Sequence, residues 1–234
     1  MNITELFQDL SFGELATLSL AQDGNGLITD AGKERIIRFA NDGLYKLYSR
    51  FILKEKDLLL EMVAGVTNYQ LILKFAASQA GISGEVTLYI KDLIWEPFQD
   101  DVIRILKVFG NCGEELPLNN DSNFYSAFTP QANVLQITYG QPGDGVSVGY
   151  QAKHPLLTLA DLTQELELPE VLWPALRQWI ASRAFGQMQT QEAQGMAANF
   201  EQKFEASCAE VVSLDLVYSS TSQTNERFHL NGWI

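Results

Sequence analysis

Basic residues are scarce beside acidic ones in this chain of 234 residues: Lys and Arg number 16 against 29 Asp and Glu, for a formal net charge of −13. A surface that grips nucleic-acid phosphates needs clustered cations to release counterions, and none is found. An acidic wall instead repels DNA and keeps it from sticking, so DNA passing close by is still compatible with this charge. Cysteine is nearly absent. Two residues cannot make a disulfide framework, which suits a reducing compartment. Cys208 falls on an apolar stripe and reads as a small core residue, and Cys112, within Gly110-Asn111-Cys112-Gly113, reads as an exposed turn thiol. The only histidines, His154 and His229, have no C-x-x-C or H-x-x-x-H spacing around them, so no metal site is expected. The opening MNITELFQDL carries no basic residue and is not expected to act as a secretory signal. No apolar run approaches 18 residues, so no membrane span is expected.

The chain is 46% hydrophobic, enough for a sizeable core. Its longest helical period lies in Leu168 to Val217. Leu172, Leu176, Trp179, Ile180 and Ala184 recur every three or four residues. After a glutamine-rich break the stripe resumes at Met196, Phe200, Phe204, Cys208 and Val211, predicting two core helices. Pro169 and Pro174 belong in or before a first turn, where a missing N–H costs little. Residues 3–20 read as one or two short helices, with Ser11 and Glu14 at capping-box spacing. Asp30 is the expected N-cap of a helix running to about Phe51. Gly43 in its middle costs about 1 kcal/mol relative to Ala, which points to a close backbone neighbour, expected at Ala181 to Gly186.

From Asp57 the period changes to two. Leu58, Leu60 and Met62 alternate, a turn follows at Ala64 to Thr67, and Tyr69, Leu71 and Leu73 alternate, which predicts a hairpin. Val86, Leu88 and Ile90 form a further strand. Val102 to Phe109 is apolar on both faces and is expected to be central. Leu135, Ile137 and Tyr139 alternate, as do Val146, Val148 and Tyr150. The expected class is α+β: a helical body (1–56 and 154–218), an inserted antiparallel β domain (57–153) and an extended C-terminal arm (219–234).

Candidate chemistry is thin. Gly145-Val146-Ser147-Val148-Gly149 matches G-x-S-x-G, but a nucleophile elbow needs a strand-to-helix turn at the Ser, and here the strand continues. Asp23-Gly24-Asn25-Gly26 with Glu34 at position 12 looks like a Ca²⁺ loop, yet Leu27 and Ile28 occupy the places of a ligand and the required Gly. Asp100-Asp101 and Glu114-Glu115 lie in turns and read as solvated surface charge. No catalytic, cofactor-binding or metal-ligating residue is assigned, and no cofactor is expected. The tail ends in Phe228, Leu230, Trp233 and Ile234 behind a polar spacer, Ser219 to Asn225. Their apolar area suits a partner pocket on another protein or a neighbouring subunit.

The order of parts resembles the head-to-tail adaptor proteins of tailed bacteriophages, the tail tubular protein A type. The resemblance is carried by Lys33-Glu34-Arg35-Ile36-Ile37-Arg38-Phe39-Ala40-Asn41-Asp42-Gly43-Leu44 and by Ile103-Arg104-Ile105-Leu106-Lys107-Val108 with Glu114-Glu115-Leu116-Pro117-Leu118-Asn119. Val148-Gly149-Tyr150-Gln151-Ala152-Lys153-His154-Pro155 and Leu168-Pro169-Glu170 running into Ala175-Leu176-Arg177-Gln178-Trp179-Ile180-Ala181 carry the rest. It covers most of residues 30–210. Such a family implies no enzyme activity and a homo-oligomeric ring, typically dodecameric, at the head–tail junction of the virion. The ring would sit beneath the portal protein, offer a platform to tail or nozzle proteins, and let DNA through without specific binding. Two rivals belong to other classes: a virion-associated hydrolase using Ser147 or a carboxylate pair, and a generic β-rich protein-binding module.

Overall fold

The computed structural model describes residues 1–16, 28–79, 86–92 and 97–217. It is an α+β fold with two hydrophobic cores, one among helices and one among strands. The first helix, α1 (Ile3–Phe12), is capped by a reciprocal pair: the Asn2 side chain accepts the Glu5 N–H at 2.8 Å, and the Glu5 carboxylate accepts the Asn2 N–H at 2.8 Å. The capping box expected at Ser11 and Glu14 is not formed. Ser11 lies inside α1, where its hydroxyl donates to the Phe7 carbonyl at 2.7 Å. Helix α2 (Asp30–Arg50) has the expected extent, but its cap is Thr29, whose hydroxyl accepts the Gly32 N–H at 3.1 Å. Asp30 is instead the first helical residue, its carboxylate at the positive end of the helix dipole.

The helix pair read from the apolar stripe is present as α3 (Trp173–Gly186) and α4 (Gln191–Ser213). Pro174 sits in the first turn of α3, and Thr190 caps α4 by accepting the Ala193 N–H at 3.3 Å. Leu172, Leu176, Trp179, Ile180, Phe200, Phe204, Cys208 and Val211 are buried, whereas Met196 stays about one-third exposed. Trp179 meets Phe204 with ring centroids 5.3 Å apart, and Phe185 stacks on Phe200 at 5.5 Å. Full burial contributes about 1.5–3 kcal/mol for each large apolar side chain, so this seam dominates the helical core. Gly43 does meet a close neighbour on α3, though not the small-residue stretch expected. A Cβ there would lie 2.6 Å from Trp179 Cδ1 and 2.9 Å from Leu176 Cδ1, so the glycine makes room for side chains of the first two turns of α3.

The strands are β1 (Glu55–Glu61), β2 (Asn68–Gln70), β3 (Ile90–Lys91), β4 (Val102–Phe109), β5 (Phe128–Gln131), β6 (Val134–Gln136) and β7 (Gly145–Ala152). They form two antiparallel sheets, ordered β3-β1-β7-β4 and β2-β6-β5. Two expectations fail here. β1 and β2 do not form a hairpin: β1 lies between β3 and β7, while β2 pairs β6 in the other sheet. Nor is β4 central. It pairs β7 alone among the described strands. Its two-sided apolarity has another cause: Val102, Ile105 and Val108 enter the strand core, while Ile103 packs against the helical core. The two sheets are joined by Tyr89, whose hydroxyl accepts the Gln70 N–H and donates to its carbonyl, both at 2.9 Å. Burial pushes that hydroxyl up to about 12. Among the described residues no helix is long and apolar enough to cross a membrane.

Candidate functional site

Ser147 lies within β7, opposite Leu59 of β1 on one side and Phe109 of β4 on the other, so it is an ordinary ladder position. It lines an open cleft with Lys56, Lys91 and Asp92, and these charges are committed elsewhere. Lys56 pairs with Asp101 at 2.7 Å, Lys91 pairs with Glu61, and the Asp92 carboxylate accepts the N–H groups of Ser78 at 2.8 Å and Phe98 at 3.0 Å. His154 has both ring nitrogens engaged: Nδ1 faces the Pro155 carbonyl at 2.5 Å, and Nε2 accepts the Glu167 N–H at 3.0 Å. Neither group has the partners a nucleophile and its base require.

The carboxylate pairs divide. Glu114 and Glu115 are exposed as expected, with Glu114 accepting the Cys112 N–H at 3.0 Å. Asp101, expected as solvated charge, is buried. It is held by Lys56 and by the Tyr150 hydroxyl, which donates at 3.0 Å. A charge is kept inside only when paired, and this one pins the start of β4 to β1 and β7. Cys112 is exposed and Cys208 buried, as the spacing indicated. Among the described residues no cluster of three or more His, Cys, Asp or Glu is placed to hold a metal ion. The Asp23 to Gly26 loop lies outside the described residues, as do Phe228, Leu230, Trp233 and Ile234.

The most densely bonded polar site joins the strands to the helices. Gln151 is completely buried at the end of β7. Its amide nitrogen donates to the carbonyls of Tyr48 and Phe51, at 2.8 Å for the latter, and its oxygen accepts from Arg104 Nε at 2.7 Å. These are carbonyls at the end of α2 that lack a helical partner, so a strand side chain satisfies them. The Tyr48 hydroxyl donates to the Glu167 carbonyl, Lys54 pairs with the Glu167 carboxylate, and the Tyr48 ring meets His154 edge-on at 5.5 Å. Burial, then the Glu167 charge, pushes the Tyr48 hydroxyl well above the usual phenol range. Sequence reasoning missed this junction. Its one signal was a Gln in an otherwise apolar strand end.

Among the exposed apolar side chains, which also include Phe12, Tyr45 and Leu156, the members of two groups lie close together. Phe124, Tyr125 and Tyr139 form a mutual edge-to-face cluster with centroids 5.0–5.5 Å apart. Val212, Leu214 and Leu216 are exposed where α4 gives way to the C-terminal segment. Exposed apolar groups of this kind suit binding to other proteins. A search of curated proteins finds no match. Residues 8–226 match the family model described as SU10 adaptor protein, which covers nearly the whole chain, both helical and β parts included. The chain belongs to the SU10 adaptor protein family, and its role is that of a phage structural adaptor.

Proposed function

We propose that the protein assembles as a homo-oligomeric ring, dodecameric in the manner of the tail tubular protein A type, beneath the portal of a phage head. The ring joins head to tail and continues the DNA channel. Family membership across residues 8–226 carries this reading. In it the helical unit of residues 1–56 and 154–218 forms the ring body, and the β insertion of residues 57–153 reaches neighbouring subunits or tail proteins. The C-terminal arm, through Phe228, Leu230, Trp233 and Ile234, docks on the portal or an adjacent subunit. The net charge of −13 supports a channel through which DNA slides without sticking. The protein works as a scaffold and performs no catalysis.

The test is mass photometry of the purified protein, alone and mixed with portal rings. The expected outcome is a ring-sized mass or capture on the portal, and a monomer or dimer with no capture refutes the reading. A chain truncated after Tyr218 tests the arm: it is expected to stay folded and to bind the portal more weakly. Portal binding equal to that of the full chain leaves the arm without a role.

A further inference from the structure

We infer that the Phe124–Tyr125–Tyr139 cluster is a docking site for a surface of a different protein, one that presents Arg or Lys beside apolar side chains; resting on the adaptor reading, that protein is the tail component the ring receives. The first observation is exposure. Packed against one another, the rings still leave Phe124 72%, Tyr125 56% and Tyr139 52% exposed. Three clustered aromatic side chains are the type that anchors interface hot spots.

The second is that the loop presenting Phe124 and Tyr125 is built. Asn119 adopts φ 54° in the left-handed region, and its side chain accepts the Thr129 N–H at 2.9 Å. The Asn120 N–H donates to the Ser126 hydroxyl at 2.9 Å, that hydroxyl donates to the Pro117 carbonyl at 2.9 Å, and the Asn123 side chain accepts the Tyr125 N–H at 2.9 Å. Rings held in place before binding lose little freedom on binding, which leaves more of the contact energy as affinity.

The third observation is charge. From Val108 to Ala152 the chain has Glu114, Glu115, Asp121 and Asp144 and no lysine or arginine. Asp121 precedes Phe124 by one turn of chain, and Asp144 accepts the Gln141 N–H at 2.9 Å in the loop after Tyr139. Carboxylates in the same loops as exposed aromatic rings favour a cationic partner through both charge and cation–π attraction. They disfavour nucleic acid, and they disfavour a second copy of a chain whose own net charge is −13. Several of this chain's cations are also already taken: Lys46, Arg50, Lys54, Lys56, Lys91 and Arg177 are in internal ion pairs.

The fourth is position. Gln151, at one end of β7, is the residue bonded to the helical body. Gly145, at the other end, lies six residues away, about 20 Å at the rise of a strand. Tyr139 lies past that far end, beside Gly140, where an added Cβ would run into the side chain of Met62, the residue that follows β1. The cluster therefore faces away from the helices and toward whatever the β part reaches.

Heads from a phage whose own copy of this gene is interrupted provide the test, supplied with purified full-length protein. Wild type, F124S/Y125S/Y139S and D121K are compared for melting temperature, co-sedimentation with the heads, and the fraction of particles bearing tails by negative-stain microscopy. The triple variant is expected to melt and co-sediment as wild type does while tailed particles fall at least tenfold. D121K is expected to lower tailing as well. Normal tailing by the triple variant overturns the proposal. Loss of co-sedimentation by a folded triple variant also overturns it, because the cluster then faces the portal or a second copy. Normal tailing by D121K refutes the cationic character of the partner. If wild type itself fails to sediment with heads, the adaptor reading fails and the docking site with it. Should the triple variant not fold, F124A alone, at the most exposed of the three positions, gives the same comparison.

Discussion

Substituting Gly43 by Ala sets two effects of opposite sign against each other at one position. Helix propensity favours the alanine by about 1 kcal/mol. Packing opposes it, because the added methyl would stand 2.6 Å from Trp179 Cδ1 and 2.9 Å from Leu176 Cδ1. Trp179 has little room to yield. Its ring is backed by Phe204 at 5.3 Å, with Lys46 4.1 Å and Arg183 4.3 Å from it. Overpacking of this kind costs about 1–3 kcal/mol, and its middle value exceeds the propensity gain by about 1 kcal/mol. At about 2–4 °C per kcal/mol for a chain of this size, G43A is expected to lower the melting temperature by that amount. Gly195 supplies the control. It is an exposed interior position of α4 with nothing within 4 Å of a built Cβ, so only propensity acts and G195A is expected to raise the melting temperature by about 2–4 °C. Circular dichroism melts at one fixed protein concentration read both. A G43A melting temperature at or above that of G195A would refute the packing argument.

Two further outcomes follow from the charges. Burial, as the main cause, holds His154 below its usual value of 6.5, and the nearby Lys54 cation acts the same way, against the Pro155 carbonyl and the Glu167 carboxylate. A lowered folded value means the unfolded chain takes up the proton first. Stability is thus full above about pH 6.5 and is lost as pH falls from there through the folded value. Melting temperatures should show this slope and H154Q should remove it; an unchanged slope would exclude His154 as its source. Duplex DNA at about 150 mM salt should show no retarded band with low micromolar protein, and a retarded band counts against an acidic, non-gripping channel.

What could be read from the sequence was set by the range of the interactions. Helices α2, α3 and α4 follow from local apolar period, and their extents agree with it. Caps were harder, because Thr29 and Asp30 are both good candidates and the choice depends on which one adopts the extended backbone. The positions of β1, β4 and β7 were legible from alternation, but β5 was not foreseen. Val86 and Leu88 lie outside β3, Leu73 opens a 3-10 turn instead of continuing β2, and the strand partners were not legible. The turn at Ala64 to Thr67 suggests a hairpin, yet both edges of β1 are occupied by β3 and β7, segments far along the chain. β4 looked central because its outward Ile103 is covered by helices rather than by strands. Phe124 and Tyr125 are neighbours in the chain, but Tyr139 joins them only after two loops fold together, and no pattern in the sequence foretells that. Asp101 was misread for a similar reason: its partners Lys56 and Tyr150 come from two other strands.

The chain leaves the helical body at Lys54 and returns at Ala152, and these two crossings are hydrogen-bonded to each other, the Ala152 N–H donating to the Lys54 carbonyl at 2.9 Å. What lies between them is attached chiefly through this pair of adjacent strands, as if spliced into a single surface loop, with Ile103 of β4 adding a packing contact to the helical core. Lengthening such a loop costs only about (3/2)RT ln n in closure entropy, so even large changes in its content burden the helices little. Descendants of this architecture can therefore replace or resize what hangs from that splice while inheriting the helices unchanged, provided a residue at the place of Gln151 still satisfies the carbonyls of Tyr48 and Phe51.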